Sequence, residues 1–289
     1  MYFTGVYTAL VTPFNTAGAV DFDKLAELVE FNIAGGVAGI VPVGTTGESP
    51  TLRPEEHLQV IKAVMEITAG RVKIMAGTGA NSTAEAVELT EAAAAFGVDG
   101  TLQVTPYYNK PNNSGLIQHF SAVADIGVPV VLYNVPGRAA KEIPLEVVAE
   151  LAQHEHIVSV KEAAGSVQRV TDIKALCDIE VMSGDDSLAL PMIKAGGCGV
   201  ISVASNLIPA EVTALVQAAL DGDFETAEAL HNKYAQLFDD LFIDTNPIPI
   251  KAAMAMKGML EEIYRLPMCS TTDENKAVLR ASLEAVGVL

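Results

Sequence analysis

The chain has 289 residues and 50% of them are apolar, which is enough for a large core and excludes a disordered acidic protein. Lys and Arg number 18 against 36 Asp and Glu, and this net charge of −18, with no basic stripe, argues against a nucleic-acid partner. A prior of roughly 150 residues per domain suggests two domains, but a single α/β barrel takes about 250 residues.

The predicted elements alternate along the chain: short apolar runs are followed by longer Ala-, Leu- and Glu-rich runs with helical periodicity. The apolar runs predict strands over residues 6–11, 39–43, 72–76, 100–104, 129–133, 157–161, 179–182 and 198–202. The runs between them predict helices over residues 22–34, 54–69, 84–96, 114–124, 144–152, 166–176, 187–195 and 209–220. The strands are apolar throughout, which is typical of a parallel sheet buried on both faces.

Eight strand–helix units in succession predict an α/β fold, a (β/α)8 TIM barrel, over residues 1–222. Helix-start residues agree with it, since Asp21 can cap the first helix and Pro54 suits the first turn of the second. A doubly wound sheet is the alternative, but no G-x-G-x-x-G follows the first strand. Residues 223–289 contain no strand pattern and predict a C-terminal extension of three helices.

The sequence also predicts a cytoplasmic protein without a membrane span. The first basic residue is Lys24, so the basic segment that opens a signal peptide is missing. No apolar run approaches the roughly 18 residues that cross a bilayer. The three cysteines, Cys177, Cys198 and Cys269, are far apart and odd in number, which predicts reduced thiols.

Lys161 is the most informative candidate, because the active site of such a barrel lies at the carboxyl ends of its strands. It ends the sixth predicted strand, and burial there favours a neutral amine that can form a Schiff base with a ketone. The alternative is a lysine that reaches solvent or pairs with a carboxylate. Tyr133 ends the neighbouring strand and is either a proton shuttle, with Thr45 as relay partner, or a core aromatic residue.

Other strand ends indicate the kind of substrate. Residues 44–47, Gly-Thr-Thr-Gly, form either an anion-binding turn or an ordinary βα turn. Phosphate is disfavoured because the loop after strand seven carries Asp185 and Asp186. A small carboxylate, clamped by Arg138, fits better. We expect no metal site, since His154 and His156 precede strand six and lie at the opposite end of the barrel.

Seven segments carry a resemblance to a known family. They are TALVTPF (8–14), GTTGES (44–49), VTPYYN (104–109), LYNVP (132–136), VKE (160–162), SGDD (183–186) and GVISV (199–203). In this order they resemble the dihydrodipicolinate synthase / N-acetylneuraminate lyase family over essentially the whole chain. Arg138 and the segment NPIPIK (246–251) resemble the synthases of the family rather than its sugar-acid lyases.

The resemblance implies a class I aldolase-type lyase of diaminopimelate and lysine biosynthesis. Lys161 would form an imine with pyruvate, and the derived enamine would attack L-aspartate 4-semialdehyde without a metal or an organic cofactor. The implied proton relay is Tyr133, Thr45 and Tyr108, with Tyr108 reaching in from a neighbouring subunit of a homotetramer. Around the substrates, the family pattern implies roles for Thr46 (N–H to the pyruvate carboxylate), Arg138 (aldehyde carboxylate), and Gly184 and Ile201 (pocket lining).

Two alternatives to the synthase stay open at this point. A pyruvate-dependent sugar-acid aldolase, of the N-acetylneuraminate lyase or 2-keto-3-deoxygluconate aldolase type, would use the same Lys161 chemistry. A non-catalytic ligand-binding barrel is the third hypothesis, and the complete set of Lys161, Tyr133, Thr45 and Tyr108 argues against it.

A candidate regulatory site follows from the same resemblance. Many such synthases are inhibited by lysine at a pocket in the tetramer interface, and the matching residues here are Ser49, His57, Asn81, Glu85 and Tyr107. Pro54 departs from that pattern, because a histidine is frequent at its position in the inhibited enzymes. The alternative for His57 and Glu85 is a solvated helix face.

Overall fold

The structure, a computed structural model, describes every residue from Met1 to Leu289. Its centre is a closed barrel of eight strands in sequence order, and every neighbouring pair is parallel. The strands are β1 (Gly5–Ala9), β2 (Gly39–Val41), β3 (Lys73–Gly77), β4 (Gly100–Val104), β5 (Val130–Asn134), β6 (Ile157–Glu162), β7 (Glu180–Ser183) and β8 (Gly199–Ser202). The TIM barrel is thereby confirmed, and the pairing of β1 with β8 excludes the open doubly wound sheet.

Helices surround the barrel at nearly the predicted positions. They are α1 (Phe22–Ala34), α2 (Pro54–Thr68), α3 (Thr83–Ala95), α4 (Asn113–Ala124), α5 (Pro136–Ala139), α6 (Leu145–Leu151), α7 (Gln168–Leu176), α8 (Asp186–Lys194) and α9 (Pro209–Leu220). The three helices predicted for the tail are α10 (Phe224–Asp240), α11 (Ile248–Met256) and α12 (Asp273–Ala285). The single turn α5 was not predicted, since four residues are too few to show a helical period.

Local signals account for several helix ends. The carboxylate of Asp21 accepts a hydrogen bond from the N–H of Lys24 at 2.9 Å, which caps α1 as expected. Pro54 is the first residue of α2, where its missing N–H is not needed. Gly36 follows α1 with φ of 80°, a backbone conformation that glycine adopts without strain.

The tail helices pack on the barrel instead of forming a core of their own. Leu237, Met254 and Leu279 share one hydrophobic cluster with barrel residues such as Leu10 and Val43. None of the helices combines the length and the apolar composition that crossing a bilayer requires. The boundary at residue 222 stays a prediction, while the shared core shows that the tail supports the barrel.

A buried ion pair joins the tail to the loop after β2. The ammonium of Lys251, in α11, lies 2.6 Å from a carboxylate oxygen of Glu48, and both side chains are almost completely buried. The same ammonium donates to the carbonyls of Thr12 (3.1 Å) and Ile263 (2.6 Å), and the second Glu48 oxygen accepts from the N–H of Arg265 at 3.1 Å. Burial lowers the pKa of Lys251, and the Glu48 charge opposes that change. Removing one member would leave the other charge without compensation.

We therefore expect Lys251→Met to destabilise the fold by about 3–5 kcal/mol, because the Glu48 carboxylate stays buried without its partner. The double variant Glu48→Gln/Lys251→Met removes both charges and should regain a large part of that loss. Urea unfolding at one fixed protein concentration measures both values. Equal stability of the single and the double variant would show that the pair contributes no electrostatic compensation.

Candidate active site

Tyr133 and Lys161 are neighbours because of the register between β5 and β6. Their Cα atoms are paired across the two parallel strands, and the pair after them is Asn134 with Glu162. The Lys161 amine lies 4.2 Å from the centre of the Tyr133 ring, and each residue is only 7% exposed. The structure therefore brings the two leading candidates together at the carboxyl ends of their strands.

The carboxylate of Glu162 stabilises this register from the opposite face of the sheet. It accepts hydrogen bonds from the Asn134 amide at 2.9 and 3.0 Å and from the Arg169 guanidinium at 2.8 Å. The side-chain oxygen of Asn134, Oδ1, in turn accepts from the N–H of Ile143 at 2.9 Å. Glu162 is fully buried. In the sequence it is recognisable only as a charged residue at the end of an apolar strand. We identify it as a positioning residue that the sequence analysis missed.

A cavity of about 80 Å³ lies above these side chains. Its lining includes six of the eight predicted catalytic and substrate-binding residues: Thr45, Thr46, Tyr133, Arg138, Lys161 and Gly184. Asp185, Phe242 and Asn246 also line it, so the loop after β7 and the tail contribute to the same site. Thr45 and Tyr133 both line this cavity, and no hydrogen bond joins their side chains.

The turn after β2 presents free N–H groups to the cavity. The N–H groups of Gly47 and Glu48 donate within the turn, to the carbonyls of Gly44 (3.1 Å) and Thr45 (3.0 Å), whereas those of Thr45 and Thr46 donate to no carbonyl. Unpaired N–H groups next to a buried space are typical of an anion site. This arrangement favours the anion-binding interpretation over an ordinary βα turn.

Asn246 connects this turn to Arg138. Its amide donates to the hydroxyl of Thr46 at 2.9 Å, and its backbone carbonyl accepts from the Arg138 guanidinium at 3.0 Å. Its own side-chain oxygen is buried without a hydrogen-bond partner and belongs to the cavity lining. The sequence analysis includes Asn246 only in the segment that resembles the synthases. Its two hydrogen-bond partners are more than 100 residues away, so no local pattern indicates them.

Because Gly184 has no side chain, it makes room for the side chain of Lys161. A methyl group added to it would lie 2.6 Å from the Cβ atom of Ala163 and 3.2 Å from the Cε atom of Lys161. Its N–H also donates to the carbonyl of Glu162 at 2.8 Å, which brings the backbone of β7 close to that of β6. Any side chain at this position would displace the amine.

Two predicted residues lie away from the cavity. Tyr108 is 90% exposed, and its φ of 72° places it in the left-handed region. Ile201 is fully buried and packs inside the barrel with Tyr133 and Met182. The roles of both residues stay predictions.

A larger cavity of about 500 Å³ adjoins the first, and Thr45, Tyr133 and Arg138 line both. Of the predicted inhibitor residues, Ser49, His57, Glu85 and Tyr107 line it, as does Pro54. Asn81 is not part of the lining, but its amide donates to the backbone carbonyl of Tyr107 at 3.1 Å.

The side chains of this larger cavity differ in exposure, since His57 is buried and Tyr107 is 39% exposed. His57 is buried, with its Nε2 atom 2.7 Å from the carbonyl of Gly77, so it is not part of a solvated helix face. Burial lowers the pKa of His57. Burial and the nearby Glu85 charge raise the pKa of the Tyr107 phenol. The larger cavity thus combines a neutral imidazole, a phenol and a carboxylate.

Comparison with known proteins gives consistent matches over the whole chain. The model of the dihydrodipicolinate synthetase family matches residues 2–286. A curated 4-hydroxy-tetrahydrodipicolinate synthase from Geobacter sulfurreducens is 50% identical over 285 residues, which cover 98% of this chain and 98% of the relative.

Solved structures agree in fold at similar coverage. The chloride-inhibited dihydrodipicolinate synthase of Acinetobacter baumannii, complexed with pyruvate, is 42% identical with a TM-score of 0.97 and covers 99% of both chains. The Cyanidioschyzon merolae enzyme with lysine bound is 40% identical with a TM-score of 0.96, over 100% of this chain and 99% of that one. A monomeric dihydrodipicolinate synthase variant is 36% identical with a TM-score of 0.97, over 100% and 98%.

The close approach at Gly184 leads to a prediction. Gly184→Ala should slow any reaction at the Lys161 amine by about 10-fold or more, since relieving an overpacked methyl group costs about 1–3 kcal/mol. Gly137→Ala is the matched control, because a methyl group there meets nothing within 4 Å. Steady-state rates of both variants, with circular dichroism to verify folding, make the comparison. Equal rates in the two variants would contradict the steric argument.

Proposed function

This chain belongs to the dihydrodipicolinate synthetase family and is an aldolase-type lyase with 4-hydroxy-tetrahydrodipicolinate synthase activity, and we propose that Lys161 carries this activity as a Schiff base with pyruvate. The observation that carries the proposal is the Lys161 amine in a buried cavity, 4.2 Å from the Tyr133 ring. The sugar-acid aldolase alternative would use the same amine, but the curated relatives and Arg138 favour the synthase.

In the first step the neutral Lys161 amine attacks the keto carbon of pyruvate. Water leaves, and the resulting iminium ion loses a methyl proton to become an enamine. The free N–H groups of Thr45 and Thr46 are suited to the pyruvate carboxylate. The Tyr133 ring lies 4.2 Å from the lysine nitrogen, so its phenol is the candidate for proton exchange there, and Thr45 lines the same space.

In the second step the enamine carbon attacks the aldehyde of L-aspartate 4-semialdehyde. Arg138 lines the cavity with one guanidinium nitrogen held by the Asn246 carbonyl, and its remaining N–H groups can bind the aldehyde's carboxylate. The substrate amine then attacks the imine carbon, closes the ring and releases Lys161. The iminium ion of Lys161 serves as the electron sink, so this chemistry requires no metal or organic cofactor.

We propose that Tyr108 completes the proton relay of a neighbouring subunit in a homotetramer. An exposed phenol on a left-handed backbone position, away from the cavity of its own chain, supports this role. The family also includes a monomeric variant, so the assembly is best measured directly, by sedimentation.

We also propose that the larger cavity accepts lysine. Glu85 and the Tyr107 phenol offer partners for an ammonium group, and a relative with lysine bound supports the assignment. Lysine added to the activity assay tests this directly, and Pro54 is the position where this chain departs from the inhibited enzymes. We propose a cytoplasmic location as well, which the free state of Cys177, Cys198 and Cys269 supports.

Trapping the imine tests the central proposal. Incubation with pyruvate followed by borohydride reduction should add one reduced pyruvate to Lys161, detectable by peptide mass spectrometry. Lys161→Met is the control and should remain unmodified. L-Aspartate 4-semialdehyde should be consumed with pyruvate, whereas sialic acid and 2-keto-3-deoxygluconate should not be cleaved. An adduct on another lysine would overturn the mechanism.

Arg138 should contribute to binding of the aldehyde substrate and not to the reaction of Lys161 with pyruvate. We expect Arg138→Ala to lower kcat/KM for the aldehyde by about 100-fold, the value of two charge-assisted hydrogen bonds, with a much smaller effect on imine formation. Arg138→Lys keeps the charge but loses the planar fork, and should recover only part of the loss. Parallel measurements of turnover and borohydride trapping separate the two steps. Equal losses in both would count against the carboxylate clamp.

A further inference from the structure

The lining of the small cavity carries more cationic side chains than anionic ones. Arg138 and Lys161 are the cationic residues of its lining, and Asp185 is its only carboxylate. The other carboxylates near the site are already paired, Glu48 with Lys251 and Glu162 with Arg169. Asp185 is therefore the one acidic residue of the cavity lining, and the reaction described above does not use it.

Asp185 has no structural task of its own. It occupies the N-cap position of α8, where an aspartate side chain ordinarily accepts an N–H, yet its carboxylate makes no capping hydrogen bond. Only its backbone groups are hydrogen-bonded, to the hydroxyl of Ser183 and to the N–H of Leu188. Its carboxylate oxygens are thus available to a ligand.

The carboxylate of the adjacent Asp186, unlike that of Asp185, has hydrogen-bond partners within the fold. Its carboxylate is buried and accepts from the Ser202 hydroxyl and from the N–H groups of Val203 and Ala204, the latter two at 2.9 Å. This residue joins α8 to the end of β8. One carboxylate of the pair thus stabilises the fold, while the other is left free at the cavity.

We propose that the Asp185 carboxylate binds the α-ammonium group of the aldehyde substrate, while Arg138 binds its α-carboxylate. This inference rests on the proposed function, because it assumes an aldehyde that carries both groups. Asp185 and Arg138 would then recognise the amino-acid part of the substrate and leave its aldehyde free to meet the enamine. Asp185 would be a specificity-determining residue.

The order of the reaction supports this assignment. Before pyruvate binds, the charge of a protonated Lys161 favours the ionised form of Asp185 against the burial that raises its pKa. Once Lys161 has become a neutral enamine, that cation is gone, and the ionised form of Asp185 loses the charge that favoured it. An arriving ammonium group restores the balance, and a charge-assisted hydrogen bond in a desolvated site is strong.

The experiment compares two aldehydes in the presence of pyruvate: L-aspartate 4-semialdehyde and 4-oxobutanoate, which has the same carboxylate and aldehyde but no amine. Asp185→Asn keeps the shape and removes the charge. We expect it to lower kcat/KM for the amine-bearing aldehyde by about 10- to 100-fold, mainly through KM. It should change far less the rate constant for addition of 4-oxobutanoate to the preformed Lys161 enamine, a single step that is followed alone because this aldehyde has no amine to release the lysine. Asp185→Glu keeps the charge and should retain part of the discrimination between the two aldehydes.

A similar loss with both aldehydes would overturn the proposal, since Asp185 would then act on Lys161 or on the fold. Borohydride trapping with pyruvate alone is run on the same samples. A wild-type protein without a Lys161 adduct would disprove the proposed function itself, whereas normal trapping with unaltered aldehyde preference would disprove only the role of Asp185.

Discussion

The parallel pairing of β5 with β6 is the constraint on which the rest of the site depends. It places Tyr133 opposite Lys161 and, one residue later, Asn134 opposite Glu162. Side chains alternate between the two faces of a sheet, so a slip of one residue would turn the lysine away from Tyr133. The buried Glu162 carboxylate prevents such a slip, because its bonds to Asn134 and Arg169 exist only in this register.

Electrostatics acts at two scales in this protein. The net charge of −18 should repel anionic substrates at long range, and both proposed substrates carry carboxylates. The cavity overcomes this locally with Arg138, Lys161 and the free N–H of Thr46. Glu48 and Glu162 do not cancel these cations because each is paired with a cation of its own, and Asp185 is the single carboxylate of the lining against two cations. A deeply acidic chain can thus maintain a cationic pocket.

The helical tail contributes residues to the candidate site in addition to packing on the barrel. Asn246 holds both the Thr46 hydroxyl and the Arg138 guanidinium, and Phe242 adds an apolar wall to the cavity. Lys251 fixes the turn after β2 through Glu48. The anion-binding turn is therefore held in position by residues about 200 positions away, and a change in the tail would reach the substrates directly.

The sequence by itself determined the barrel, its eight strand–helix units and six of the residues that line the small cavity. Apolar periodicity is a local property, so the strand and helix bounds agree to within two residues. Strand ends in a barrel converge by geometry, which is why Lys161, Tyr133 and Arg138 could be placed together from their positions alone. The resemblance to a family added the chemistry of the lysine.

Only the tertiary structure decided which of these residues are in contact. It also decided which of the two adjacent aspartates has a carboxylate without a hydrogen-bond partner. Asp185 and Asp186 look equivalent in sequence, yet the packing of α8 against β8 pairs the second and leaves the first at the cavity. The partners of Asn246, and the exposure of Tyr108, depend likewise on how segments distant in sequence pack. Local patterns record which face of an element is buried, but the contact partners follow from the closure of the whole barrel.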